Sequence, residues 1–163
     1  MDRAAKRLQR ELLEINARQQ THSIDLEHPE SLVEAVGADA SLFEWTAVIR
    51  GPPGSPFEHG RFNIAVQVPE NYPQAPPQMR FATRVCHPNV HWVTGAVCLD
   101  LLATEWSPVY TIYTCLDALV QLLAAPNPDS PLNTDLAHLL RANDEIGYFT
   151  IARHFTRMYA VKN

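Results

Sequence analysis

The chain has 163 residues, 46% of them hydrophobic, and a formal net charge of −5 at neutral pH. A chain of this length buries roughly two-thirds of the surface that its unfolded form exposes, so we predict one domain over residues 1–163. The acidic balance argues against nucleic-acid binding, which needs clustered cations facing phosphates. Its apolar runs are far shorter than the ~20 residues of a membrane span. Since the first ten residues are polar rather than an apolar signal core, we expect a cytosolic protein.

An amphipathic helix is predicted at the amino terminus, over residues 3–19. Apolar residues recur at steps of three and four, the period of one helical face: Ala5, Leu8, Leu12 and Ile15. The wet side carries three cations, Lys6, Arg7 and Arg10. Two interpretations of these cations stay open. They form a solvated face paired with Glu11 and Glu14 four residues further on, or they meet an acidic partner protein.

Strands are predicted in the region that follows. Residues 32–36 form a candidate edge strand. Apolar and polar residues alternate from Phe43 to Arg50 and again from Phe62 to Val68, which is the period of a half-buried strand. The glycines and prolines of residues 51–56 predict a turn between these two strands. The two strands are therefore expected to pair as antiparallel neighbours.

Prolines shape the middle of the chain. Residues 69–77 contain four of them, which cannot donate hydrogen bonds into a central ladder, so this stretch is predicted to run outside the sheet as a stiff loop. A further strand is predicted over Gln78–Phe81. The segment from Cys86 to Pro108 then shows neither helical nor strand period. A long irregular segment inside a compact domain is usually functional.

Three helices are predicted after the irregular segment, over residues 111–125, 134–142 and 144–160. Thr134 and Asn143 each precede an acidic residue, which is typical of a helix N-cap followed by an acid in the first turn. The chain contains no internal repeat, linker or low-complexity stretch. The order of elements is therefore helix, strands, irregular centre and helices.

The irregular segment concentrates the residues that can do chemistry, namely Cys86, His87, Asn89, His91 and Cys98. One interpretation is a zinc site formed by the two cysteines and two histidines, although their spacing matches no common structural site. A second makes Cys98 a hydrolase nucleophile with His138 or His154 as its base. A third is an inert buried thiol, which is the ordinary condition of a lone cysteine.

A fourth interpretation is that Cys98 exchanges acyl groups and holds one as a thioester. Three cysteines are an odd number, which does not suggest a disulfide framework and leaves a thiol for chemistry. Such a thiol needs no dedicated base, because a few per cent is thiolate at neutral pH and sulfur is a strong nucleophile. Acyl transfer does require a donor aimed at the developing oxyanion. The side-chain amide of Asn89 is the candidate donor.

Four motifs stand in order around these residues: His87-Pro88-Asn89, Gly95 to Asp100, Trp106-Ser107-Pro108 and Pro126 to Asn133. Together they resemble the ubiquitin-conjugating enzymes, and the likeness covers essentially the whole chain. The resemblance implies an α+β fold with an amino-terminal helix, a four-stranded antiparallel meander, an active-site loop and carboxy-terminal helices. It also implies a transferase that accepts ubiquitin as a Cys98 thioester and passes it to a protein acceptor, without a cofactor.

Individual roles follow from the same resemblance. Asn89 matches the asparagine that supports the oxyanion or the loop beside it. Four further residues match positions that support the active-site loop: His87, Pro88, Asp100 and Ser130. Five match positions that bind the activating enzyme or the ligase: Lys6, Arg7, Arg10, Ser107 and Pro108. Metal ligands are not implied. An inactive interaction module of the same fold is an alternative, although this chain retains both Cys98 and Asn89.

Finer features resemble one branch, the peroxisomal ubiquitin-conjugating peroxins. These features include Leu139 to Asp144 and the helix end Thr156 to Ala160. The branch implies residence at the cytosolic face of the peroxisomal membrane, a membrane-anchored peroxin as recruiter, and the import receptor as acceptor. Gln74 stands where many relatives have phenylalanine, which favours a RING-type ligase. The alternative is a general cytosolic ubiquitin-conjugating enzyme.

Overall fold

Residues 3–22 and 32–161 are described by the computed structural model of this chain. Its strands are β1 Val33–Ala38, β2 Glu44–Arg50, β3 Arg61–Gln67 and β4 Gln78–Phe81. Its helices are α1 Arg3–His22, α2 Ile112–Ala124, α3 Thr134–Arg141 and α4 Glu145–Tyr159, with a short 3-10 helix at Asp100–Leu102. The strands lie side by side in chain order, and each neighbouring pair is antiparallel. The α+β meander implied by the resemblance is therefore confirmed.

The alternating pattern correctly identified the buried face of the sheet. Three cross-strand pairs of β2 and β3 point into the core: Trp45 with Val66, Ala47 with Ile64 and Ile49 with Phe62. Phe43 was predicted as the first inward residue of its strand, but it precedes β2 and is only partly buried. Its carbonyl accepts a hydrogen bond from the backbone of Val68 at 2.8 Å. The helices cover the sheet on this apolar face, with α1 and α2 both packing against it.

Two helix caps lie one residue away from their predicted positions. The side chain of Asn133, rather than Thr134, accepts a hydrogen bond from the backbone of Leu136 and caps α3. Asp144, rather than Asn143, accepts from the backbone of Gly147 and caps α4. A cap must lie just outside the helix, with its side chain turned back to the first free N–H groups.

Within the described residues, no helix has the length and apolarity of a membrane-spanning segment.

One polar residue of α1 is unexpectedly buried. Glu11 is 2% exposed, and its carboxylate accepts hydrogen bonds from Arg7, from the Tyr72 hydroxyl at 2.7 Å and from the backbone of Ile112 at 2.9 Å. Burial and the Glu11 carboxylate raise the pKa of Tyr72, so the hydroxyl stays protonated as a donor. A single carboxylate thus joins α1, the loop of residues 69–77 and the first turn of α2.

This network corrects the prediction that all three cations of α1 lie on its wet side. Lys6 and Arg10 are exposed, but Arg7 is partly buried because it donates to Glu11 at 2.6 Å and to the Tyr110 carbonyl at 3.2 Å. The predicted pairing four residues apart is present at Arg7–Glu11 and, at 3.9 Å, at Arg10–Glu14. Arg7 therefore anchors α1 to the start of α2.

Replacing Glu11 with alanine is expected to destabilise the fold strongly. The change leaves the Arg7 cation, the Tyr72 hydroxyl and a helix N–H without their acceptor, and breaking a buried ion pair in this way costs about 3–5 kcal/mol. In a domain of this size the loss lowers the melting temperature by roughly 10 °C. Thermal or urea unfolding measures it. Glu14→Ala is the matched control, because the exposed Arg10–Glu14 pair contributes little. Similar stabilities of the two variants would contradict the buried network.

Candidate active site

The irregular segment folds back on itself beside β4. Isolated bridges pair Val90 with Val97 and Arg80 with Ala96. The backbone N–H of Cys98 donates to the carbonyl of Asn89 at 3.0 Å. The predicted irregular segment, Cys86 to Pro108, contains no α-helix or named strand, but it does contain the 3-10 helix Asp100–Leu102. Backbone hydrogen bonds hold its two halves side by side. The cysteine is thereby held next to the asparagine.

A glycine allows the irregular segment to turn back towards β4. Gly95 has φ +72°, and a Cβ built there would lie 1.9 Å from the carbonyl oxygen of Phe81. Positive φ and so close an approach are both open to glycine alone at little cost. The Gly95 carbonyl in turn accepts from the backbone of Phe81 at 2.9 Å, which fastens the turn to the end of β4. Cys98 follows this fixed turn by three residues.

His87 is a buried, neutral support of the loop. Its Nδ1 accepts from the backbone N–H of Asn89 at 3.0 Å, so Nε2 carries the proton and donates to the Leu122 carbonyl at 2.9 Å. Burial lowers the pKa of His87 to about 4, against a smaller opposing effect of the Leu122 bond. The ring of Phe57 packs against it at 5.5 Å. Both nitrogens are occupied, so His87 ties the loop to α2 and is neither a base nor a free ligand.

Asn89 and its neighbour organise the segment between α2 and α3. The Asn89 side chain is buried and its Nδ2 donates to the carbonyls of Asn127 at 2.6 Å and Ser130 at 3.0 Å. Its Oδ1 accepts from the backbone of Asn127 at 2.8 Å. The Pro88 carbonyl accepts from the backbones of Leu132 and Asn133. Both amide hydrogens of Asn89 are thus used on this segment, and none is left over for an oxyanion in this arrangement.

Of the three cysteines, Cys98 alone is partly exposed to solvent. Cys86 is 5% exposed and Cys115 is fully buried, whereas Cys98 is partly exposed. Burial raises the pKa of Cys86 to about 11 and that of Cys115 to about 12, which keeps both as inert thiols. A nucleophilic thiol must be both accessible and able to ionise. The geometry therefore singles out Cys98 and disfavours the interpretation of that residue as an inert buried thiol.

The zinc and hydrolase interpretations find no support in the geometry. Across residues 3–22 and 32–161, no group of three or more His, Cys, Asp or Glu side chains could hold a metal ion. His138 and His154 are exposed on α3 and α4. No hydrogen bond joins either of them to Cys98 in the described part of the chain, and His154 packs its ring against Phe155 at 5.4 Å. A dedicated base for Cys98 is therefore missing from the described side chains.

Two further residues that were predicted to support the active-site loop are Asp100 and Ser130. Asp100 is exposed and begins the 3-10 helix, where its carbonyl accepts from the backbones of Ala103 and Glu105. Ser130 is exposed, and its carbonyl is one of the two that Asn89 binds. Ser130 thus belongs to the segment that Asn89 holds, and Asp100 follows Cys98 by two residues.

Ser107 and Pro108 follow the 3-10 helix, on a surface that two loops share. The indole of Trp106 donates to the Pro73 carbonyl at 3.0 Å, and its ring packs against that of Tyr72 at 6.1 Å. Pro108 is exposed next to Val109, which is 74% exposed. These contacts join the stretch after the 3-10 helix to the proline-rich loop.

Sequence reasoning missed the roles of two residues, one beneath the helices and one beside the active-site loop. From the sequence, Glu11 was interpreted as a solvated partner of Arg7. A helical pattern does not reveal its contacts with Tyr72 and Ile112, which lie 61 and 101 positions further along the chain. Arg141 reads as an ordinary basic residue at a helix end, yet its guanidinium donates to the Pro128 carbonyl. Neither could be found from local periodicity. Only the folded arrangement brings their partners close.

Comparisons with known proteins agree with this geometry. A family model described as "Ubiquitin-conjugating enzyme" matches residues 7–156. The chain is 46% identical over 129 residues to Protein PEROXIN-4 of Arabidopsis thaliana, covering 79% of this chain and 82% of that protein. It is 45% identical over 121 residues to ubiquitin-conjugating enzyme E2 pex4 of Dictyostelium discoideum, covering 74% and 81%.

Solved structures give the same result. The ubiquitin-conjugating enzyme Pex4p of H. polymorpha, crystallised with the soluble domain of Pex22p, matches with a TM-score of 0.90 and 31% identity over 98% of this chain and 100% of that one. A putative ubiquitin-conjugating enzyme of Plasmodium yoelii matches with a TM-score of 0.82 and 34% identity, over 100% and 99%. Sequence, fold and active-site loop all agree, and the chain belongs to the ubiquitin-conjugating enzyme family.

Proposed function

We propose that this ubiquitin-conjugating enzyme carries ubiquitin on Cys98 and passes it to a lysine amine or a cysteine thiol of an acceptor protein. The observation that carries the proposal is the accessible thiol of Cys98, held by a backbone bond to Asn89, in a chain whose other two cysteines are buried. The Cys98 thiolate attacks the thioester carbonyl of the charged activating enzyme, whose own thiol leaves. The acceptor then attacks the Cys98 thioester, and the Cys98 thiolate leaves and regains a proton.

This exchange requires no base, metal or nucleotide on the chain itself. The acyl group arrives already activated as a thioester, and sulfur is nucleophilic at neutral pH even when only a small fraction is ionised. That chemistry fits a site where the described side chains offer the thiol no hydrogen-bonded histidine. The bond between Cys98 and Asn89 supports a geometry in which the thioester would stand beside the segment bearing Ser130.

The direct test is acylation of the purified chain. Incubation with ubiquitin, its activating enzyme and ATP is expected to give an adduct of one ubiquitin that a thiol reductant removes. Parallel incubations with ubiquitin-like modifiers and their activating enzymes test the choice of modifier. An inactive interaction module would form no adduct in any of these mixtures, and that outcome would overturn the proposal.

Two exposed surfaces are suited to the protein partners. Lys6 and Arg10 project from α1, and we assign them, with Arg7, to binding the activating enzyme. The surface of Ser107 and Pro108 with the proline-rich loop is assigned to a RING-type ligase. The Trp106–Pro73 hydrogen bond supports this second assignment, because it presents the two loops as one continuous surface.

A peroxisomal role is the finer part of the proposal. Two relatives carry peroxin names, and the H. polymorpha relative was crystallised with the soluble domain of Pex22p. We infer that this chain likewise binds a membrane-anchored peroxin, acts at the cytosolic face of the peroxisomal membrane and modifies the recycling import receptor. A tagged chain should colocalise with peroxisomes only in cells that contain the anchoring peroxin. A uniform cytosolic signal with the anchor present would favour a general conjugating enzyme.

A further inference from the structure

The segment of residues 125–132, between α2 and α3, is fixed from two sides. On the inner side, the Asn89 amide binds Asn127 and Ser130, on either side of the segment's tip at Pro128 and Asp129. On the outer side, Nη2 of Arg141 donates to the Pro128 carbonyl at 2.5 Å. Among the described residues, this is the side-chain bond that reaches the tip itself from outside the segment.

We propose that Arg141 is a positioning residue for the transfer step, which fixes the tip of residues 125–132 and so sets where Asp129 and Ser130 stand as an acceptor approaches the Cys98 thioester. The inference rests on the proposed function of Cys98. It concerns how an acceptor is received at that site, and Arg141 itself touches neither the thiol nor ubiquitin.

The path of the chain explains why an arginine at position 141 can fix the tip of the segment. Helix α3 starts two residues after the segment ends, and Arg141 lies in its last turn. The side chain reaches back along the helix to the carbonyl that joins Pro128 to Asp129, closing a ring that contains the segment and α3. A long side chain with a planar, permanently charged donor group suits such a reach to a carbonyl oxygen.

The contact should matter for geometry more than for stability. Arg141 is exposed, so its single hydrogen bond adds little to the free energy of unfolding. Asp129 and Ser130 are also exposed, and without Arg141 the tip between the two Asn89 bonds would gain freedom. Transfer to an acceptor depends on placing groups within fractions of an ångström, so added freedom slows that step. Charging and hydrolysis of the thioester involve no bound acceptor and should be spared.

The test separates these steps in single-turnover experiments. The chain is first charged with ubiquitin, charging is stopped, and loss of the adduct is followed with free lysine and in buffer alone. For Arg141→Ala, we expect transfer to lysine to slow roughly threefold to tenfold, the size of the loss of one ordinary hydrogen bond. Its charging rate, hydrolysis in buffer and melting temperature should match those of the unmodified chain. Arg157→Ala is the control, since it also removes an exposed arginine from the last turn of a helix, α4.

Two further readings distinguish positioning from other effects. Arg141→Lys keeps a cationic donor of similar reach and should recover most of the lost rate. The pH dependence of transfer should keep its midpoint in Arg141→Ala, because a positioning residue does not alter the ionisation of the incoming amine. Four results would each overturn the inference. Arg141→Ala could transfer ubiquitin at the normal rate, lose as much charging rate as transfer rate, or shift the midpoint of the pH dependence. The fourth is that Arg141→Lys fails to recover the transfer rate. Failure of the unmodified chain to charge would instead overturn the proposed function.

Discussion

Replacing Cys98 with serine is expected to turn a reductant-sensitive ubiquitin adduct into a reductant-resistant one. The serine hydroxyl is a weaker nucleophile than a thiol, so the ester forms slowly, but a thiol reductant does not cleave it as it cleaves a thioester. Hydroxide does cleave the ester. Cys98→Ala should form no adduct at all. Denaturing gels run with and without reductant, and after brief treatment with base, read out each of these results.

The other two cysteines provide the controls. Cys86→Ala and Cys115→Ala remove thiols that are buried and whose pKa burial raises to about 11 and about 12, so both variants should still charge on Cys98. Their smaller side chains cost some stability, which a melting curve measures separately. A reductant-sensitive adduct that survives Cys98→Ala and disappears in Cys86→Ala would contradict the assignment of the nucleophile.

Replacing Asn89 with alanine is expected to leave charging largely intact and to slow discharge to an acceptor by about 10²-fold, the size of the effect when an active-site group is misplaced by about 1 Å. The reason is structural, because both amide hydrogens of Asn89 are donated to backbone carbonyls. Without the amide, the carbonyls of Asn127 and Ser130 lose their donor and the segment of residues 125–132 loses its inner anchor. Single-turnover discharge to free lysine measures the rate.

Stability separates the two roles of Asn89. If the amide holds the segment, Asn89→Ala should also lower the free energy of unfolding by about 1–3 kcal/mol, because buried carbonyls are left unsatisfied. If it acts on the oxyanion alone, stability should hardly change. Asn89→Asp is the informative partner, since it keeps the acceptor for Asn127 and removes both amide hydrogens. Normal discharge in Asn89→Ala would reject both roles.

Local pattern was sufficient for the central strands of the sheet, whereas β1 runs to Ala38, two residues beyond its predicted end. Alternation of apolar residues identified the buried faces of β2 and β3, because a strand with one wet face must repeat every second residue. The motif around Asn89 located the active-site loop, and the order of motifs indicated the family. These features are encoded over short stretches of sequence, where spacing alone carries the information.

Contacts between distant stretches could not be read in the same way. The donors that reach Glu11 include Tyr72 and Ile112, and the carbonyls that Asn89 binds lie 38 and 41 residues further along. A buried carboxylate among the polar residues of a helix looks like a solvated one until its donors are known. The cap positions failed by one residue for a related reason, since neighbouring polar residues compete for the same free N–H groups.

The hydrogen bonds of Glu11 fix the relative positions of α1, the proline-rich loop and the start of α2 from inside the protein. A protein that docks on any one of them meets a shape already set before contact, and so gives up little conformational freedom on binding. Substitutions of buried residues in this network would then weaken the binding of a partner that does not touch them. In a binding assay they would resemble mutations of the interface itself.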